Sequence, residues 1–305
     1  MISRLNPTIL AILWMLVTGL LFVGVNVVVK IVGNDIPAAE SAFLRYLLGL
    51  VFLLPMLPAL KSAWTSGALD RNGIALFSLR GFVHALGVIA WFYAMTQIPL
   101  AEVTAMNYMS PIYVTIGAAI FLGEKLAMRR IAAIIVALCG GLLILRPGFR
   151  EVSPGHIAMI GTALAFAVSY LIAGRMAGKV NATVIVGMLS ITVTIGLLPF
   201  ALAVWVTPTV EQLGWLFLVA ALATGGHYSM TLAFRLAPMA VTQPVTFLQL
   251  IWSALVGLVL FNEPIDIWVV VGGVLIMGSV SFIAWREMVL KKTAIKAAAR
   301  ATPTI

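Results

Sequence analysis

The chain has 305 residues, of which 62% are hydrophobic and only 10% charged, and its mean hydropathy is +1.12. Soluble domains run nearer half apolar and about a quarter charged, so no water-soluble packing could hide this much apolar surface, and the solvent must be lipid. A net charge of +9 would point to nucleic acid in a soluble protein, but here the basic residues sit in short loops between apolar runs, where they report orientation instead.

Apolar runs of spanning length fall at about 8–30, 38–58, 74–97, 100–122 and 128–145, and again at about 155–175, 182–206, 212–234, 239–261 and 266–285. The pattern predicts an all-α integral membrane protein of ten helices. The first run lacks a small-residue cleavage site and reads as a retained span, not a signal peptide. Turn chemistry or charge separates the runs, as at Gly33-Asn34-Asp35 and Arg146-Pro147-Gly148. Very short turns around Pro99 and Pro238 make runs three and four, and eight and nine, antiparallel neighbours. Cys139 is the one cysteine, so an intramolecular disulfide is impossible and a cysteine metal cluster is not expected.

With both termini inside, the inner segments hold Arg4, Lys61, Arg71, Lys125, Arg129, Arg130, Arg175, Lys179, Arg235, Arg286, Lys291, Lys292, Lys296 and Arg300, fourteen of the nineteen basic residues. Only Lys30, Arg146 and Arg150 fall outside, while Arg45 and Arg80 lie within spans. Such a bias sets the orientation, and it survives only with an even number of spans.

A weak internal repeat appears on shifting by 139 residues, which lays Pro99 on Pro238, Ala101 on Ala240 and Glu124 on Glu263. Turn proline, post-turn alanine and span-ending glutamate mark the same architectural points. Five spans per half is an odd number, so the halves must be inverted relative to each other. Inverted repeats characterise secondary transporters, whose sites lie near the midplane.

The candidate chemistry sits inside the spans. Arg80, His84, Gly87 and Trp91 share one face of the third helix at i, i+4, i+7 and i+11. An arginine near the bilayer centre costs at least ~2.5 kcal/mol, so Arg80 either serves a solute or snorkels to the headgroups. Turned inward, this face offers a cation, a titratable imidazole, a close-approach point and an aromatic platform, which suit an anionic or zwitterionic planar solute. Arg45 either meets a solute or pairs with a carboxylate on another helix, since Glu40 is five residues away and roughly 140° round the helix. Glu40 reads as a dipole-favoured carboxylate or as a proton-coupling acid, and Glu102 as the former. Asn107 and Tyr108 precede Pro111 in the fourth run, and Gln243, Gln249 and Trp252 accompany Pro244 in the ninth. Both sets either glue helices together or line a pathway. Glu124 and Glu263 are expected to bind backbone N–H groups at the start of the next helix. No phosphate-binding loop or histidine metal motif occurs, so neither ATP hydrolysis nor any cofactor is expected.

The stretches LGEKLAMRRIAAIIVALCGGLLILRPG at 122–148, PLAEVTAMNYMSP at 99–111 and LFNEPIDIWVVVGGVLI at 260–276 resemble the EamA family of the drug/metabolite transporter superfamily. The resemblance implies two EamA-type five-helix repeats, 1–148 and 149–288, around a central cavity, with a basic cytoplasmic tail at 289–305. It also implies a secondary transporter of small organic metabolites in the inner membrane, working by alternating access with possible proton coupling. Within the family, AAESAFLRYLLGLVFLLP, LRGFVHALGVIAWFYAM and APMAVTQPVTFLQLIWSALVG are similar to S-adenosylmethionine and riboflavin transporters, a likeness that implies Arg45, Arg80 and the aromatics Trp91 and Tyr93 as pathway residues. An exporter of amino acids or drugs is the alternative, and a lipid-modifying membrane enzyme a remote one.

Overall fold

In hydrocarbon no water is available to satisfy the backbone, so each apolar run closes its own hydrogen bonds as a helix. The computed structural model describes residues 6–67, 69–124, 126–176 and 179–301, with the backbone alone for 239, 240, 243, 291, 292 and 294–301. Ten helices are long and apolar enough to cross a membrane. In chain order, spans 1 to 5 are Pro7–Val32, Ala38–Thr65, Arg71–Gln97, Leu100–Leu122 and Met128–Leu145. Spans 6 to 10 are Pro154–Met176, Ala182–Ala203, Val210–Leu236, Pro244–Phe261 and Ile267–Leu290. The protein is thus a multi-pass all-α membrane protein.

Side-chain caps start several spans. Asn6, Asp70 and Asn181 accept from the amides of Thr8, Gly73 and Val184, and Thr209 forms a reciprocal capping box with Gln212. Two spans extend beyond the sequence expectation. Span 2 passes through a 3-10 segment, Leu50–Met56, where Pro55 interrupts the α pattern, before ending at Thr65. The helix of span 10 runs on to Ala301, so the basic tail continues it. Span 4 breaks at Tyr108–Met109 ahead of Pro111, as Leu100–Asn107 and Ser110–Leu122. Span 9 is interrupted about one turn earlier in its repeat, where a short Met239–Thr242 helix passes through 3-10 geometry at Gln243–Thr246.

The largest helix contacts follow an exchange of each span n with n+5. Span 1 lies along span 8 as span 6 lies along span 3, and span 7 meets span 3 as span 2 meets span 8. Spans 2 and 7, 4 and 9, and 5 and 10 meet their own counterparts. The ends of spans 4 and 9 match in detail. Gly123 and Asn262 both adopt left-handed geometry, φ 70° and 53°. The next amide in each case, Glu124 or Glu263, donates back to Ala118 or Gly257 at 3.3 or 3.0 Å. At the seam of spans 5 and 10, Ala133, Ala137 and Ile144 pack against Ile276, Val280 and Ile283. Gly140 and Gly272 approach so closely there that a Cβ on either would strike the other's carbonyl.

Candidate functional site

The bundle has two ends, here named the basic face, which carries the N terminus, and the opposite face. Arg45 lies seven residues into span 2 from the opposite face and Arg80 nine residues into span 3 from the basic face, about 10 and 14 Å deep. Both are buried, with 8% and 4% of their surface exposed. Arg80 Nε donates to Ser169 Oγ at 3.3 Å and Nη1 to the Ile185 carbonyl at 3.0 Å. The guanidinium therefore leans toward the basic face, but under cover of spans 6 and 7 and not among headgroups. The Arg45 guanidinium stacks 4.1 Å above the Tyr46 ring, a cation–π contact.

His84, one turn beyond Arg80, shares Ser169 Oγ through Nδ1 at 3.2 Å and stacks on Phe166 at 4.5 Å. Arg45, Arg80 and His227 all lie within electrostatic reach of His84. Trp91 sets its edge against Phe92 and Phe166. Tyr170, tilted against Phe166, is within electrostatic reach of Tyr46 and Arg80 yet 47% exposed. Its neighbours thus come from spans 2, 3 and 6. His227 is exposed too and meets Phe22 edge-on at 5.1 Å.

The sequence-expected residues thus divide into groups. Arg45, Arg80, His84 and Trp91 gather with Tyr46, Ser169, Tyr170 and His227. Of these added residues, Tyr46 and Tyr170 read in the sequence as ordinary aromatics among apolar neighbours. Asn107, Tyr108 and Gln249 belong to a second group at the breaks of spans 4 and 9. There Tyr108 Oη donates to Gln249 Oε1 at 2.8 Å and to the Thr246 carbonyl at 3.2 Å. Asn107 Oδ1 is enclosed with no hydrogen-bond partner among the described residues. Trp252, on the same helix, is exposed. The Gln243 side chain lies outside the described residues.

Glu40 and Tyr93 stand apart at the opposite face. Glu40 is fully buried and Oε2 accepts from the Val206 amide at 2.8 Å, while Tyr93 borders a notch lined by Val29, Asn34, Pro37 and Phe92. Glu102 also does more than face a helix dipole. It grips Arg150 with both oxygens, at 2.9 and 2.7 Å, and accepts from His156 Nε2. The Ser153 amide donates to His156 Nδ1 at 3.0 Å, which places that ring's proton on Nε2, facing Glu102. The hydrogen bonds that Arg150 itself donates to Glu102 lift its guanidinium above its ordinary range. Glu263 pairs with Lys30 and accepts from the Leu100 amide at 2.9 Å. Its amide partner opens span 4, not the following helix that the sequence suggested. Lys30 also donates to the Ile98 carbonyl at 3.1 Å. Glu124, the repeat mate of Glu263, meets only Arg130, at 3.4 Å, among the described ion pairs.

Two matched halves around a buried basic and aromatic cluster define a membrane transporter of small metabolites. The chain belongs to the EamA-like transporter family, whose profile matches residues 9–146 and 153–285. Each match holds five spans, so the repeats cross the membrane in opposite senses. The S-adenosylmethionine uptake transporter of Rickettsia prowazekii is 26% identical over 262 residues, covering 86% of this chain and 88% of that protein. The riboflavin transporter of Rhizobium johnstonii is 30% identical over 280 residues, 90% and 91% of the two chains. The pseudopaline exporter of Pseudomonas aeruginosa is 28% identical over 257 residues, 83% and 88%. A protein of known crystal structure superposes with a TM-score of 0.55 over 90% of this chain and 96% of its own, at 18% identity, and shares the fold.

Proposed function

We propose that the protein moves a small organic metabolite across the inner membrane by alternating access, with the basic face and both termini cytoplasmic. The moving halves are 1–148 and 149–288, and 289–305 is a basic cytoplasmic tail. Arg45, Arg80, His84 and Trp91 contact the solute, while Tyr108, Asn107, Gln243, Gln249 and Trp252 line the route where spans 4 and 9 break. Supporting this reading, the broken spans and the basic cluster lie between the halves, as in inverted-repeat carriers. S-adenosylmethionine and riboflavin, named for two relatives, are the first solutes to test.

This conformation is closed on the outside. Lys30, Glu263 and the Leu100 amide form an outer latch tying spans 1, 9 and 4. Exchanging the repeats maps it onto Arg175, the base in the last turn of span 6, with Glu124 and the start of span 9. That inner latch is undone here: the Glu124 side chain is 53% exposed against 13% for Glu263, and Arg175 is exposed. Opening one latch and closing the other turns the carrier over. Of all the observations, this difference between equivalent glutamates carries the reading.

The test is solute exchange in proteoliposomes, with riboflavin, S-adenosylmethionine and amino acids inside and out. Folded protein that exchanges none of them, and no organic anion such as riboflavin 5′-phosphate, at any imposed pH gradient would contradict this transport reading. A cysteine pair joining positions 124 and 175 should block exchange reversibly, whereas exchange at full rate through the oxidised pair would remove the inner latch from the mechanism.

A further inference from the structure

Ten acidic residues occur in the whole chain: Asp35, Glu40, Asp70, Glu102, Glu124, Glu151, Glu211, Glu263, Asp266 and Glu287. They lie in loops, in the first turn of a helix (Glu40, Glu102, Glu211) or, for Glu287, in the last turn of span 10, and none reaches the middle of a span. Arg45 and Arg80 therefore have no carboxylate at their depth, and neither makes an ion pair among the described residues. The contacts of Arg80 are neutral, a hydroxyl and a carbonyl, and Arg45 has a ring. Two buried cations that both act on His84 also repel each other. No guanidinium nitrogen of either is among the fully enclosed polar atoms that lack partners. Donors left over from these contacts are thus not sealed within the protein.

From this we infer that the transported solute is a net anion whose carboxylate or phosphate sits between Arg45 and Arg80, with a flat body against the Tyr46, Phe166 and Tyr170 rings. The inference rests on the transport reading and narrows it. Guanidinium donors converging on one oxyanion form the strong, charge-assisted kind of hydrogen bond. A solute of net positive charge would add a third cation to a site holding no acid. By this logic riboflavin 5′-phosphate fits better than riboflavin, and a carboxylate better than its amide.

Matched pairs that differ only in the charged group provide the test. Purified protein is melted with riboflavin 5′-phosphate against riboflavin, and with indole-3-acetate against indole-3-acetamide, each at millimolar concentration. The anion of at least one pair should raise the melting temperature by several degrees while its neutral mate does not. Arg45→Gln and Arg80→Gln should weaken that binding at least ten-fold, and Arg80→Lys should recover part of it, which also guards against a variant that misfolds. Equal shifts from charged and neutral mates, silence from every anion, or unchanged binding in both Gln variants would overturn the inference. Exchange of neutral or cationic solutes in proteoliposomes, with anions ignored, would overturn it as well and leave transport itself standing.

Discussion

The two faces of this bundle handle charge in opposite ways. On the opposite face all three basic residues are paired: Lys30 with Glu263, Arg146 with Asp266 and Arg150 with Glu102. On the basic face Arg130 alone forms ion pairs among the described residues, reaching Glu124 and Glu287, which are 53% and 45% exposed. Exposed pairs contribute little because water screens them and two long side chains must be ordered. Pairs shielded from water bind strongly, and losing one partner strands the other. The opposite face is therefore fastened and the basic face only loosely joined. Equivalent positions in two similar repeats thus carry different loads, as expected of a carrier caught on one side of its cycle.

Substitutions can break or sharpen this contrast. Glu263→Gln should have the largest effect, about 3–5 kcal/mol of stability, because Lys30 would be left half-buried without its counter-charge. Denaturant unfolding in detergent measures the loss, and maleimide labelling of a cysteine at Ile98 should rise as the outer end opens. Glu102→Gln follows at about 2–4 kcal/mol, since it removes a two-pronged arginine contact and the acceptor for His156. Asp266→Asn should cost about 1–2 kcal/mol, as its pair with Arg146 is a quarter exposed on both sides. Arg130→Ala should cost no more than about 1 kcal/mol. If it proved as damaging as Glu263→Gln under the same denaturant series, the two faces would be equally fastened and the contrast would fail.

Much of this was legible in the sequence because lipid leaves few choices. Apolar run length fixed ten spans, and the Pro99, Pro238, Glu124 and Glu263 matches marked the repeat, since turns and caps are local. Pairings across the fold were not legible. Lys30 and Glu263 are 233 residues apart, and nothing local says that a carboxylate ending span 9 will meet span 1. Glu102 looked like a first-turn acid because its partners Arg150 and His156 come from beyond another span. For Arg45 the sequence left solute and carboxylate open; in the fold its guanidinium lies over the Tyr46 ring and makes no ion pair among the described residues. Tyr170 carried no signal at all, because a tyrosine in an apolar helix looks the same facing lipid or a cavity.

The Gly140–Gly272 contact has a mechanical consequence. With no side chain between the two backbones, that line has nothing to slide or compress, and under the proposed alternating access it would serve as a fulcrum. Rotation of one half about it displaces each element in proportion to its lever arm. Distances measured by paired spin labels should then change least between spans 5 and 10, and progressively more with separation from that axis. Lengthening either glycine by a single methyl would force the two backbones apart and shift the axle itself, altering the stroke of every other helix.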